Sequence, residues 1–168
     1  INMPDQPIDF FTYMDKGEFS KVEKILSEFD TGISKVFFGE ISTEDLIKKV
    51  GKGFVESLKK RLEKDKNEAG DKKKIQEIIA RGDKNFFRIK LNDQGELVAK
   101  VIRLQHSEIE SKFELDEESD GTVRLFDLLD IVLTGKEDMV YVVDEIDRSL
   151  HPVLLFKFIE IVKKEFAE

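Results

Sequence analysis

The stretch Val140-Tyr141-Val142-Val143-Asp144-Glu145-Ile146-Asp147-Arg148-Ser149-Leu150-His151-Pro152 constrains the fold more than any other part of the chain. An apolar, β-branched run ends in two adjacent carboxylates, and a helix start follows at once. Such a run predicts a buried parallel strand. Ligands of open α/β sheets bind beyond the carboxyl ends of strands of that kind. Asp144 then stands where a hard oxygen ligand can hold Mg²⁺, directly or through water. Glu145, one residue on, points elsewhere and can orient or deprotonate an attacking water. Capping and the helix dipole also favour acidic residues ahead of a helix, so the pair taken alone reads equally well as structural.

A second block stands upstream. Glu118-Ser119-Asp120-Gly121-Thr122-Val123-Arg124-Leu125 runs into the apolar Phe126, Leu128, Leu129, Ile131, Val132 and Leu133. The spacing predicts a helix buried on most of its circumference. Ser119 or Asp120 can cap its start, and Gly121 allows another backbone to approach closely. The free N–H groups of that first turn make an anion site. A Ser-Asp-Gly-Thr turn in isolation is usually no more than a cap; ahead of a predicted strand ending in Asp-Glu it gains weight.

Together the two blocks resemble those of ABC-like, AAA-family ATPases of the overcoming-lysogenization-defect and abortive-infection type. Val140 to Glu145 looks like their Walker B motif. Ser149-Leu150-His151-Pro152 matches their "LHP" continuation, which resembles a D-loop packed against the partner subunit near its nucleotide. Residues 118–125 resemble the "ESDGT-x-RL" block, which occupies the place of the ABC signature and reads the γ-phosphate held by the other subunit. Phe29-Asp30-Thr31-Gly32-Ile33 looks like the "hDTGI" segment ahead of the helical insertion. Gln105-His106 through Phe113-Glu114-Leu115-Asp116 resembles the strand region before the signature block. The resemblance implies a mixed α/β fold, a partial P-loop NTPase core of ABC-like type with a helical hairpin insertion. It also implies ATP and Mg²⁺ as cofactors, a nucleotide-sandwich homodimer, and a role in phage defence or DNA metabolism with a companion nuclease or DNA as partner. Carried onto this chain, Glu145 is the catalytic residue and Asp144 the metal ligand. Ser119, Asp120, Gly121, Thr122, Arg124 and His151 would face the nucleotide. Arg124 either anchors the signature helix or approaches phosphate, and His151 either serves the site or caps a helix. His106 reads either as a ligand or phosphate contact or, the commoner role for a lone His after a strand, as an edge residue.

The phosphate-cradling loop G-x-x-x-x-G-K-[ST] occurs nowhere in the sequence. Gly51-Lys52-Gly53 has the wrong spacing and sits in a charged helical context, and Gly135-Lys136 falls in a polar turn. The chain begins without Met and ends in an amphipathic helix from Phe156, ahead of the strand that carries a switch His in the family. These features predict an internal fragment of an ATPase that neither binds ATP tightly nor hydrolyses it alone, and that is mainly monomeric.

Composition predicts a soluble, cytoplasmic piece. No Cys is present, so there is neither a disulfide nor a thiolate metal site, and two His are too few for a histidine-rich one. No apolar run approaches the ~20 residues of a membrane span. A net charge of −8 argues against a general nucleic-acid surface. Residues 44–84 depart from that average, with thirteen Lys or Arg against nine Asp or Glu. Val50, Phe54, Val55, Leu58 and Leu62, then Ile75, Ile78 and Ile79, recur at helical spacing. They predict a helical hairpin insertion over 44–84, turning near Lys66 to Asp71, beside an ATPase core made of 1–43 and 85–168. Lys59, Lys60, Arg61, Lys64, Lys66 and Lys72 to Lys74 cluster at its tip. That cluster supports the alternative reading, an interaction module that binds a partner or DNA phosphates, against a solvated face with pairs such as Glu56–Lys60. Elsewhere Phe10, Phe11 and Tyr13 form an aromatic cluster before a helix from Glu18 to Phe29. Val36 to Ile41 and Phe113 to Leu115 read as strands. Phe86 to Leu91 and Glu96 to Leu104 read as a hairpin around Asn92-Asp93-Gln94-Gly95.

Overall fold

The computed structural model describes residues 19–68, 77–107, 110–134 and 140–166. The aromatic cluster at 10–13, residues 69–71 of the turn expected near Lys66 to Asp71, Lys72 to Lys74, and Gly135-Lys136 lie outside them. The described elements are α1 (Phe19–Glu28), β1 (Ile33–Ile41), α2 (Thr43–Val50), α3 (Lys52–Glu68), β2 (Glu77–Arg81), β3 (Phe86–Leu91), β4 (Leu97–His106), β5 (Lys112–Glu114), α4 (Asp120–Thr134) and α5 (Pro152–Glu165). The strands form one sheet in the order β1-β4-β3-β2, with β5 also paired to β4. The chain divides into two units, residues 38–103 and residues 1–37 with 104–168.

In the 38–103 unit, two helices cover one face of an antiparallel sheet. Ser42 caps α2 by accepting from the Asp45 N–H, and Gly51, at φ +87, ends the helix before α3 begins. Val55, Leu58 and Leu62, three and four residues apart, form the buried stripe of α3. They pack with Leu46 against Ala80, Phe87, Ile89, Ala99 and Val101 of the sheet. The β3–β4 hairpin forms around the expected turn, Asn92 N–H donating to Glu96 O at 2.8 Å and Gly95 sitting at φ +79. The second helix of the expected 44–84 hairpin does not form over residues 77–84. Ile78 and Ile79 belong instead to β2, antiparallel to β3 with Ile78 opposite Ile89 and Ala80 opposite Phe87. β-branched side chains are at home on a half-buried pleated surface, and cross-strand packing overrides a weak helical spacing. The Gly82 N–H bond to Asn85 O, 2.8 Å, closes the β2–β3 turn.

In the other unit, α1 buries Val22, Ile25 and Leu26 on one face. α4 has no exposed residue between Gly121 and Leu133, as expected of a helix apolar nearly all round. α5 begins with Pro152 at its first position, where the missing N–H costs nothing, and buries Phe158 and Ile161. One expectation fails in this unit. Val140 to Val143 is not a strand, and Val140 and Val142 are 90% and 91% exposed. An extended segment becomes a strand only by pairing, and no ladder reaches these residues among those described. Two pairings of the sheet, β2 with β3 and β3 with β4, are antiparallel. The strand at whose end Asp144 was expected is not among the described elements. None of the described helices is long and apolar enough to cross a membrane.

Candidate functional site

The start of α4 is built by one side chain. Ser119 Oγ accepts from the Thr122 N–H at 3.1 Å and shares a hydrogen bond with Thr122 Oγ1 at 3.0 Å, while Ser119 O takes the Val123 N–H. Of the two residues expected to cap, Ser119 does so. Asp120 is the first helical residue, exposed where a negative charge favours the helix dipole. Thr122 is buried and its hydroxyl serves the cap.

Gly121 does what a residue without Cβ is for. A methyl group there would stand 3.0 Å from the backbone oxygen of Ser149 and 3.7 Å from Ser119 Oγ. The turn that follows Asp144 and Glu145 is thus seated on the first turn of α4. Arg124, one helical turn on, reaches back to the same segment. Its Nη2 lies 3.4 Å from Asp144 O and 3.4 Å from Glu145 O, and its Nη1 lies 3.8 Å from Asp127 Oδ2. Arg124 thus reaches from α4 to the backbone of the acidic turn.

The acidic turn itself is irregular. Residues 144–149 form successive turns, with Arg148 N–H to Glu145 O at 2.9 Å and Leu150 N–H to Asp147 O at 3.0 Å. Glu145 and Ser149 adopt positive φ, +47° and +63°, a conformation that non-glycine residues seldom take and that costs on the order of 1 kcal/mol or more each. Both carboxylates are exposed. Glu145 Oε2 meets Arg148 Nη1 at 3.4 Å, a surface pair of small energetic weight. Leu150 is buried and pins the turn. His151 caps α5, its Nδ1 accepting from the Val153 N–H at 3.3 Å.

Sequence reasoning missed a pair beside this site. His106, at the end of β4, has its Nε2 2.7 Å from Oε1 of Glu118, the residue just ahead of the Ser119 cap. Phe113 packs edge-on to the imidazole at 5.6 Å between centroids. A lone His after a strand carries no sign of this contact. The available signal was the aromatic of the short strand between it and a glutamate preceding a capping serine. On α3, Lys59, Lys60, Arg61 and Lys64 are exposed, with Lys59 3.9 Å from Glu63 and Lys52 3.9 Å from Glu56. That face is one of mixed charge.

Among the described residues no three His, Cys, Asp or Glu side chains gather as a metal site. Fold and site define a mixed α/β domain in which a serine-capped helix start meets a turn bearing two exposed carboxylates. Residues 19–168 match the family model described as "AAA domain, putative AbiEii toxin, Type IV TA system". The chain belongs to this AAA-domain family, whose general function is that of a nucleotide-binding ATPase working with ATP and Mg²⁺. No curated protein and no solved structure matches the chain.

Proposed function

We propose that these residues supply the signature and magnesium-binding half of an ABC-like, nucleotide-sandwich ATPase, with the phosphate-binding loop contributed from outside them. The observation that carries this reading is the seam between the two motifs. Gly121 lies against Ser149 O, and Arg124 spans to the carbonyls of Asp144 and Glu145. A signature helix and a Walker B turn in contact can respond together when ATP is enclosed.

The chemistry of the donors fits. Mg²⁺ takes one or two protein carboxylates and completes its shell with water and phosphate oxygens, so the single exposed carboxylate of Asp144 suffices. When bound, the ion neutralises charge on the phosphates. Glu145 then orients or deprotonates the attacking water, and its positive φ is the kind of backbone outlier found at working sites. The start of α4, with Ser119, Asp120, Gly121 and Thr122, presents the positive end of a helix dipole to the terminal phosphate held by a second copy. Arg124 holds that turn to the acidic segment, and His151 fixes the start of α5 behind it. The exposed Val140 and Val142 are the positions that the strand bearing the phosphate loop would cover, which would make 140–143 the strand its sequence predicts.

Position and charge stabilisation supply most of the rate in phosphoryl transfer. Glu145→Gln in the full-length protein should therefore retain ATP binding, trap the closed dimer and lower turnover by roughly 10²-fold or more. Turnover at the wild-type rate would refute the role of Glu145. A phage-defence setting with a companion nuclease remains part of the same proposal, tested by co-purification of a nuclease with the full-length protein. The rival reading, binding of DNA or a partner through α3, predicts loss of that binding on charge reversal of Lys59, Lys60 and Lys64 with ATPase intact. The mixed charge of that face favours the ATPase reading.

A further inference from the structure

The strand register gathers positive charge on one face of the sheet in the 38–103 unit. α2 and α3 pack on the face that holds Ala80, Phe87, Ile89, Ala99 and Val101. Side chains alternate along a strand, so Arg81, Arg88, Lys90 and Lys100 stand on the opposite face. Arg88 is paired with Ile79 of β2 on one side and Lys100 of β4 on the other, and Arg81 is paired with Phe86. Both arginines are laid on rings. Arg81 Cζ lies 5.2 Å from the Phe86 centroid, and Arg88 Cζ lies 5.7 Å from that of Phe38. Phe86 is buried, so the first ring belongs to the packed interior, while Arg81 above it is exposed. Arg88 is fixed by its edge as well, with Nε 2.7 Å from Glu77 Oε2. Lys90, opposite Glu77, is exposed, and Lys100 Nζ lies 3.7 Å from Glu40 Oε1.

A guanidinium already held on an aromatic ring loses little further freedom when a second plane stacks on it. Unpaired nucleobases are planes of the kind that arginines receive in this way. The net charge of −8 argues against nucleic acid adhering to the surface at large, so a site for it must be local and use more than charge. Glu77 and Glu40 thin the positive field on this face, which weakens simple phosphate attraction but leaves the arginine planes in place. We propose that this sheet face binds single-stranded nucleic acid, with bases stacked on Arg81 and Arg88 and phosphates drawn by Lys90 and Lys100. A duplex keeps its bases stacked on one another and offers the face only its backbone. An acidic peptide offers charge without a plane. None of these residues belongs to α4 or to the acidic turn, so binding here needs no ATP.

The test is fluorescence anisotropy of a labelled, mixed-sequence single-stranded oligonucleotide titrated with the full-length protein, without nucleotide and over a range of salt. Arg81→Lys and Arg88→Lys keep the charge and lose the plane, and each should weaken binding roughly tenfold. Lys90→Ala should reduce the slope of log K against log salt by about 0.7, the share of one phosphate contact on a single strand. Charge reversal of Lys59, Lys60 and Lys64 on α3 should leave binding unchanged. The duplex of the same sequence should bind roughly tenfold more weakly, and polyglutamate should compete poorly. A duplex bound as tightly, or polyglutamate displacing the strand as well as unlabelled oligonucleotide does, would overturn the proposal, because either reduces the face to charge. So would wild-type affinity in the two arginine variants, loss of binding on reversal of the α3 lysines, or no binding by wild type. Arg88→Lys also disturbs the Glu77 contact, so if it lowers the melting temperature the exposed Arg81→Lys decides the matter. Glu145→Gln keeps the two readings apart: it should bind the strand as wild type does, whatever happens to ATP turnover.

Discussion

A single methyl group tests the seam between α4 and the acidic turn. Gly121→Ala places a Cβ 3.0 Å from Ser149 O, nearer than such contacts ordinarily come, and the neighbour is backbone and not a side chain that can swing away. Ser149 already carries a positive φ, so the turn has little freedom to retreat by the few tenths of an ångström required. Overpacking of this kind costs about 1–3 kcal/mol. Against it stands the gain from replacing glycine in a helix, at most about 0.5–1 kcal/mol and less near the N-terminus. The cost wins, and the expected net effect is a destabilisation of about 1 kcal/mol, or roughly 2–4 °C in Tm for a chain of this size. Gly53→Ala is the control. Gly53 lies in the first turn of α3 with nothing within 4 Å of its Cβ position, so the same substitution there should stabilise by up to about 1 kcal/mol. Thermal unfolding of both variants, with hydrogen exchange at α3 and α4 to assign each change to its unit, measures the contrast. A Gly121→Ala protein as stable as wild type, or more so, would refute the close approach and with it the argument that the two motifs are packed together.

Two further outcomes are expected. Ser119→Ala removes the acceptor for the Thr122 N–H and should cost about 1 kcal/mol in urea unfolding, with faster exchange confined to the first turn of α4; protection unchanged there would contradict the cap. The Asp45 carboxyl is held below its ordinary 3.8, first by its hydrogen bond from Lys48 and then by that from Ser42. A depressed folded-state pKa contributes stability above the unfolded value that is lost as pH falls through the folded one, so the cap of α2 should loosen only under acid conditions, below about pH 4. Carboxyl NMR titration should give a midpoint under 3.8, and one at or above it would contradict the assignment.

Elements whose signal is local were legible in the sequence. The Asn92 to Gly95 turn, the capped start of α4 and the Pro152 start of α5 each follow from side chains that satisfy their own neighbours. The need for a small residue at 121 was also readable, although its neighbour, the Ser149 carbonyl, was not. β2 was misread because Ile75, Ile78 and Ile79 fit a helical phase as well as a pleated one; the Gly82-Asp83 turn signal and the β-branched pair pointed the other way. Val140 to Val143 carries strand composition, but pairing, not composition, makes a strand, and the described residues offer these four no ladder. The His106–Glu118 contact depends on how the chain returns through β5, which no spacing rule encodes.

Magnesium-dependent ATP turnover by the full-length protein, its Glu145→Gln variant and these 168 residues alone tests the central claim most directly. The account predicts turnover in the first, ATP binding without turnover in the second, and neither tight binding nor turnover in the third. Turnover by the 168 residues alone, or an unimpaired Glu145→Gln protein, would contradict it.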